Sequence, residues 1–208
     1  MIFGKRYFEE IFKEEDPWRY FVCEYENKKY IRQIEAIKQY LPHPQNILEV
    51  GCAEGAHTLM LARAFPEASI LGIDISKPAV ERAKRNCEYC QNVNIIGADV
   101  IELCKQAYFS ENTFDVIIQS ELFYYLFPEL FVHLNLIRYL KSVTKILKNN
   151  GILVTSHQIN IRTRLAMEVC YLMLRRLCRL VHNSRCKEWH DIRYKYLIYD
   201  LKVFAKAK

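Results

Sequence analysis

Glu49, Asp74 and Asp99 each close a short apolar run, and they recur at intervals of about 25 residues. A carboxylate at the C-terminal end of a parallel strand can accept from ribose hydroxyls or from an exocyclic amine. Three at successive strand ends point to a bound nucleoside far more specifically than one does. Between the first and second of them runs Gly51-Cys52-Ala53-Glu54-Gly55. Gly51 ends the first run, where the chain must turn sharply and a ligand can approach the backbone. Gly55 opens the following helical pattern, where a Cβ could block the ligand or crowd the sheet.

The details of this loop choose among nucleosides. A dinucleotide site holds a pyrophosphate at the helix N-terminus, usually over Gly-x-Gly-x-x-Gly. Here the third glycine is absent, and Glu49 and Glu54 both carry the wrong sign for a phosphate. They fit a ligand with a cationic or zwitterionic amino acid tail. S-adenosylmethionine has that tail, together with a sulfonium. On this reading Asp74 accepts from the ribose. Asp99 accepts from the adenine amine while the Val100 N–H donates to the ring. Ile73, Ile75, Val100 and Leu122 wall the base. Ala53, a residue with a Cβ between the two glycines, implies ordinary backbone angles there.

The elements that position these groups follow from apolar periodicity and its punctuation. Aromatics crowd residues 1–25, interrupted by Asp16-Pro17-Trp18, with a short helix before Pro17. A helix over Glu24–Tyr40 is stopped by Pro42 and Pro44. Strands over Asn46–Val50, Ser69–Ile73, Val93–Gly97, Phe114–Gln119 and Ile152–Ser156 then alternate with helices over Gly55–Ala64, from Pro78 to Glu88, after Asp99, and over Glu129–Leu147. Asn149-Asn150-Gly151 reads as a turn. A long helix over Arg162–His182 follows, and Tyr194–Lys208 reads as one or two antiparallel strands at the far edge. This alternation predicts an α/β, Rossmann-like fold with a mostly parallel sheet covered on both faces. The sheet has seven strands, or six if only one C-terminal strand forms. One domain is expected: an N-terminal helical lid over 1–44, a cofactor-binding core over 45–160, and a C-terminal helix with edge strands over 161–208.

Leu48-Glu49-Val50-Gly51-Cys52-Ala53-Glu54-Gly55, Leu71-Gly72-Ile73-Asp74-Ile75-Ser76 and Gly97-Ala98-Asp99-Val100 resemble the motifs of class I S-adenosylmethionine-dependent methyltransferases. Phe114–Ile118 with Ser120-Glu121 resembles the fourth-strand motif. Leu147–Leu153 resembles the turn into the fifth strand, keeping only the last glycine of the usual Pro-Gly-Gly. Upstream, Asp16-Pro17-Trp18-Arg19-Tyr20, Tyr25-Glu26 and Lys29 resemble the nodulation N-methyltransferase group, as does Ser120–Leu126. Those enzymes methylate the free amine of a deacetylated chitooligosaccharide. The resemblance implies an enzyme that consumes S-adenosyl-L-methionine and releases S-adenosyl-L-homocysteine. It implies cofactor contacts from Trp18, Tyr25, Glu49, Gly51, Cys52, Ala53, Gly55, Asp74, Ile75, Asp99, Val100, Ser120 and Glu121. The reaction class carries over better than the acceptor does.

Methyl transfer is an in-line displacement at the sulfonium methyl, so the protein must align a nucleophile, exclude water and let a proton leave. Glu121 and Tyr124, after the fourth strand, are placed to hold an ammonium, accept its proton or present a hydroxyl. His157, after the fifth strand, could take a proton as a neutral imidazole. His57, on the first turn of the glycine-loop helix, lines the cofactor site rather than performing chemistry. The expected acceptor is an amine or hydroxyl of a small molecule. RNA or protein methylation is the alternative, and a non-catalytic nucleotide-binding protein on the same fold is a third class.

The alternative rests on charge. From Ile161 onward there are twelve Lys and Arg against four acids, while the first 160 residues are slightly acidic. A basic quarter can meet an anionic partner or simply be solvated, and nucleic acid is not favoured. The eight cysteines lie in periodic segments of a chain that is 51% hydrophobic, without a signal-peptide pattern, so free thiols in the cytoplasm are expected. Cys87-Glu88-Tyr89-Cys90 has redox spacing but falls at a helix end that would not lower a thiol pKa. No metal site and no membrane span are expected, and the protein should be a monomer or homodimer.

Overall fold

The structure is a computed structural model that describes residues 4–123, 133–160, 164–190 and 195–206. In chain order the elements are α1 (Lys5–Ile11), α2 (Glu24–Tyr40), β1 (Asn46–Val50), α3 (Ala56–Ala64), β2 (Ser69–Asp74), α4 (Lys77–Asn86) and β3 (Val93–Gly97). They continue with α5 (Val100–Lys105), β4 (Phe114–Ser120), α6 (His133–Ile146), β5 (Leu147–Gln158), α7 (Arg164–Leu177), β6 (Arg179–His190) and β7 (Lys195–Ala205).

The strands form one seven-stranded sheet in the order β3-β2-β1-β4-β5-β7-β6. β1 to β5 are mutually parallel, and β7 runs antiparallel to both β5 and β6. This is the α/β, Rossmann-like architecture the sequence predicts, with seven strands. The order reverses direction between β1 and β4, and a ligand crevice opens at such a switch point, beyond the C-terminal strand ends. Val50 is in register with Gln119 there, so the chain leaves β1 through Gly51 beside the place where β4 leaves through Ser120 and Glu121.

Side chains of a strand alternate between faces, and both faces are buried. Leu48, Val50, Ile117 and Leu153 pack under Tyr139, Leu140 and Val143 of α6 and Met167, Tyr171 and Leu174 of α7. Those helix positions recur every three or four residues, as a core-facing stripe requires. On the other face Ile47, Val116, Ile118, Ile152 and Val154 pack under Ile34 and Ile37 of α2 and Leu61 of α3. Glu49 shares the second face with Ile47. Its carboxylate is therefore aimed at α3.

The C-terminal third differs from expectation in three ways. β5 is continuous from Leu147 to Gln158, with a register shift against β4 where a turn was expected. Asn150 takes a φ of 65°, and a Cβ on Gly151 would meet the Asp115 and Lys148 carbonyl oxygens at 2.9 Å, so the glycine allows the bulge. The long helix ends at Leu177, and the residues expected to finish it begin the twelve-residue strand β6. β6 forms the edge of the sheet, and β7 lies inside it between β5 and β6. The reason is legible in β7, where Leu197, Tyr199, Leu201 and Val203 alternate into the second face and Phe204 into the first. A strand buried on both faces belongs inside a sheet. Asp200 is fully buried here because Arg185 of β6 grips it with two bonds of 2.7 and 3.1 Å.

Gly55 has a φ of 87°, and a Cβ there would lie 3.2 Å from Cys87 Sγ and 3.3 Å from Ala83 Cα. The glycine lets α3 press against α4, a helix contact added to the reasons expected for it from the sequence. Gly55→Ala should cost about 2–4 kcal/mol, from the left-handed backbone and the overpacked contact together. Urea unfolding would then show a lower midpoint at an unchanged slope; an unaltered midpoint would refute this account of Gly55.

Candidate functional site

The loop after β1 is pinned from below and bare above. The Gly51 and Cys52 N–H groups donate to the Ile73 carbonyl at 2.8 and 3.0 Å. Gly51 has a φ of 79°, as expected for a sharp turn. Ala53 does not have ordinary angles: its φ is 48°, in the left-handed region. The Asp74 carboxylate makes this tolerable by accepting the Ala53 N–H at 2.9 Å. The Cys52 side chain turns away and is buried among Val80, Ala83 and Ile95.

The two glutamates of the loop motif are both occupied. Glu49 accepts from His57 Nδ1 at 2.9 Å and from the Thr58 hydroxyl at 2.5 Å, all three residues being buried. Tyr30 of α2 stacks on the His57 ring at 4.5 Å and 11°. Glu54 does not face a ligand tail. Arg82 of α4 lies 2.7 Å from it, and the Asp16 N–H donates to both its oxygens at 3.0 Å. Arg82 also donates to the Phe12 and Glu14 carbonyls at 2.6 and 3.0 Å. Glu54 is thus a clasp between the glycine loop, α4 and the N-terminal segment, and its sign gives no information about the ligand.

Helix α2 supplies the roof. Its buried face carries Tyr25, Glu26, Lys29, Tyr30 and Gln33, spaced at three or four residues. Lys29 is 1% exposed and its ammonium lies 2.7 Å from Glu26 and 2.9 Å from Glu121. Burial works against the charge, but the two carboxylates win and hold Lys29 well above its ordinary pKa. Glu121 feels the same balance in reverse. Burial pushes its pKa up, yet Lys29 and the Gln158 N–H hold it below its ordinary value. Its second oxygen accepts that N–H at 2.9 Å, and its φ is 53°. Beside it the Ser120 hydroxyl donates to Gln33 at 2.7 Å.

A small cavity of about 30 Å³ lies between roof and loop, lined by Tyr20, Glu26, Lys29, Tyr30, Glu49, Gly51, Cys52, Ala53, Ala56, His57, Ser120 and Glu121. Six expected cofactor contacts therefore converge: Glu49, Gly51, Cys52, Ala53, Ser120 and Glu121. His57 joins them, as expected of it. Trp18 and Tyr25 do not line this cavity. Trp18 packs on Phe12 and Tyr20, and it is Tyr20 that reaches the cavity. Tyr25 is buried between His190 and Tyr199, since its position on α2 turns it toward β6 and β7. His157 is fully buried and does not line the cavity either. Its Nε2 accepts the Phe123 N–H at 3.2 Å, its ring stacks on Phe123, and burial lowers its pKa to about 4. Such a ring is a poor proton acceptor near neutral pH. Tyr124 lies outside the described residues.

The remaining expected contacts lie at the ends of β2 and β3, beside the loop. Asp74 accepts from Ala53 and Ser76 N–H groups, both at 2.9 Å, and burial raises its pKa to about 6. A carboxylate has about four lone-pair sites, so acceptor capacity remains. Ile75 follows it, half-buried. Asp99 caps α5 by accepting from the Ile101 N–H at 2.8 Å, and Val100 packs into the core below. Among the described residues no cluster of His, Cys, Asp or Glu could hold a metal ion. The eight cysteines are free, and burial pushes the Cys87 thiol up to about 12, against a redox role for the Cys87–Cys90 pair.

Lys29, Glu26, Tyr30 and Gln33 were not singled out as site residues by sequence reasoning. The signal was present in the apolar stripe of α2, where a lysine interrupts positions that should be buried.

Residues 44–197 match the family described as "Methyltransferase domain", and the chain belongs to that family. Its relatives include nodulation protein S of Sinorhizobium fredii, 32% identical over 112 residues, or 54% of this chain and 48% of that protein. They also include a malonyl-[acyl-carrier protein] O-methyltransferase of Halalkalibacterium halodurans, 34% identical over 83 residues, or 40% of this chain and 30% of that one. The chain thus spans half or less of the length of these two relatives. Among solved structures, the N-methyltransferase NodS of Bradyrhizobium japonicum WM9 in complex with S-adenosyl-L-homocysteine superposes with a TM-score of 0.78. Identity is 20%, and 98% of each chain is covered. At that identity the likeness is one of fold; together with the family match and the nodulation protein S relatives it bears out the resemblance to class I methyltransferases of the nodulation N-methyltransferase group.

Lys29→Met should destabilise the protein by about 3–5 kcal/mol, because it strands two buried carboxylates. Adding Glu121→Gln should recover part of the loss in denaturant unfolding. A cost below about 1 kcal/mol, as exposed pairs give, would show that solvent screens the cluster. His157 supplies a second test. Its folded pKa of about 4 lies below the ordinary 6.5, so the unfolded chain takes up the proton first as pH falls. Stability should therefore drop across that window, by about 3 kcal/mol from this group. His157→Gln should flatten the slope; an unchanged slope would remove His157 from the acid response.

Proposed function

We propose that the protein transfers the methyl group of S-adenosyl-L-methionine to an amine or hydroxyl of a small molecule. The observation that carries this reading is the convergence, at the β1/β4 switch point, of a bare glycine loop with a roof of charged and aromatic side chains. The residues fit the cofactor: Gly51 leaves the loop backbone open, Asp74 and Asp99 retain acceptor capacity at adjacent strand ends, and His57, which lines the cavity, has a buried Nε2 with no partner among the described residues. When bound, the cofactor supplies an electrophilic methyl on a cationic sulfur.

The chain's own residues do the rest. Asp74 receives the ribose hydroxyls, Asp99 and the Val100 N–H hold the base, and Ile75 lies against it. Tyr20 and Tyr30 close the cavity toward solvent. Glu26, Glu49 and Glu121 outnumber Lys29 around it, which favours a cationic or hydrogen-bond-donating acceptor over an anionic one. Glu121 remains ionised and can orient an ammonium as it loses its proton to solvent. Among the residues lining the cavity, the candidates for contact with the acceptor are Glu121, Ser120 and Tyr20; Tyr124 remains a proposal from sequence.

Incubation with methyl-labelled S-adenosyl-L-methionine and panels of small amines, alcohols, RNA and peptides tests the reading. Label in amines or alcohols supports it. Label only in RNA or peptide would replace the acceptor class, and absence of cofactor binding would remove the reading. Asp74→Asn should weaken S-adenosyl-L-homocysteine binding about tenfold or more, as loss of charged hydrogen bonds does. The wild-type carboxyl is fully ionised only above its pKa of about 6. Affinity measured by calorimetry should accordingly fall as pH drops through that value, and a flat profile would take Asp74 off the ribose.

A further inference from the structure

Both Glu49 oxygens are engaged, one by His57 Nδ1 and the other by the Thr58 hydroxyl, so the carboxylate is held against α3 and sets the orientation of the histidine. A carboxylate only accepts, so the His57 proton is on Nδ1, and in the neutral ring Nε2 carries a lone pair. That nitrogen is buried with no hydrogen-bond partner among the described residues. His57 is 4% exposed, and it lines the cavity next to Gly51, Ala53 and Ala56. Tyr30, stacked face to face at 4.5 Å, fixes the plane of the ring. A buried acceptor held this firmly and left unused is a site waiting for a donor. Glu26, Glu49 and Glu121, which also line the cavity, favour a cationic one.

We propose that His57 Nε2, oriented by Glu49, receives the α-ammonium of the cofactor's amino acid tail. The glutamate of the loop motif then acts through the histidine as a positioning residue and sets its tautomer. This assignment rests on the reading that the cleft at the β1/β4 switch point takes S-adenosylmethionine, with the amino end of its tail at this cavity. It adds a residue that selects for the amino group.

The test is calorimetric binding of S-adenosyl-L-homocysteine and of its analogue lacking the α-amino group, to the full chain. The wild type should prefer the amino compound by about tenfold or more, the scale of a hydrogen bond to a charged group. His57→Phe keeps a ring against Tyr30 and should bring the two affinities together, mainly by weakening the amino compound. If that variant fails to fold, Glu49→Gln serves. Its amide can donate to Nδ1, which moves the proton to Nε2 and turns the acceptor into a donor. It too should abolish the preference. Wild-type binding of both compounds with equal affinity, or a preference that survives in a folded variant, would overturn the role of His57 while leaving the proposed function standing. Binding of neither compound would overturn both.

Discussion

The ammonium of Lys29 lies in the interior between two carboxylates, and the geometry of the cleft depends on that arrangement. Taking a lysine out of water costs several kcal/mol, and only close, well-aligned partners repay it. Glu26 comes from the same helix, so it sets the rotamer. Glu121 comes from the turn after β4, so it sets the distance between helix and sheet. Through Glu121 the tie extends to the Gln158 N–H on β5. One buried charge thus joins α2 and the end of β4, both of which line the cavity, to the end of β5 behind them. The left-handed backbone at Glu121 is a strain that this network over-determines.

A second set of contacts joins the N-terminal segment to the glycine loop. Glu54 and Arg82 work as a hub: the guanidinium reaches two backbone carbonyls of that segment, and the carboxylate takes the Asp16 N–H. Asp16 in turn accepts from the Tyr20 N–H at 2.6 Å, which places the aromatic side chain that reaches the cavity. The loop under the ligand and the segment over it are therefore mechanically coupled. Movement of Tyr20 away from the cavity must pass through the hydrogen bonds of Asp16 and Glu54.

Much of the fold was legible in the sequence because its punctuation is strong. Pro42 and Pro44 stop α2, and Asn46–Val50 and Val93–Gly97 were readable as strands because they are short, apolar and bounded by turn residues. The C-terminal third was less legible. Leu180, Val181 and His182 continue a helical spacing and an alternating one equally well, and pairing with β7 decides between them. In the site, strand-end positions such as Glu49, Ser120 and Glu121 could be placed because topology fixes where strands end. Side-chain engagement could not. Glu54 and Glu49 have the same charge and lie five residues apart, yet one faces α3 and the other α4 and the N-terminal segment. Reading a ligand's sign from Glu54 failed because a nearby arginine, 28 positions away, neutralises it.

The insertion of β7 between β5 and β6 has a bearing on how the chain assembles. Strands β1 to β5 can pair in the order in which a ribosome delivers their neighbours, but the outer edge of β5 remains uncovered until residues 195–205 arrive. β6 is made earlier and cannot cover it, since its partner in the sheet is β7. The β6–β7 pair is a local hairpin with eleven paired positions, and it can form before it docks. During synthesis the protein thus carries an open, apolar strand edge for the time it takes to translate α7, β6 and β7. Open edges of this kind recruit foreign strands. Chaperone occupancy on nascent chains would be expected to concentrate in that interval.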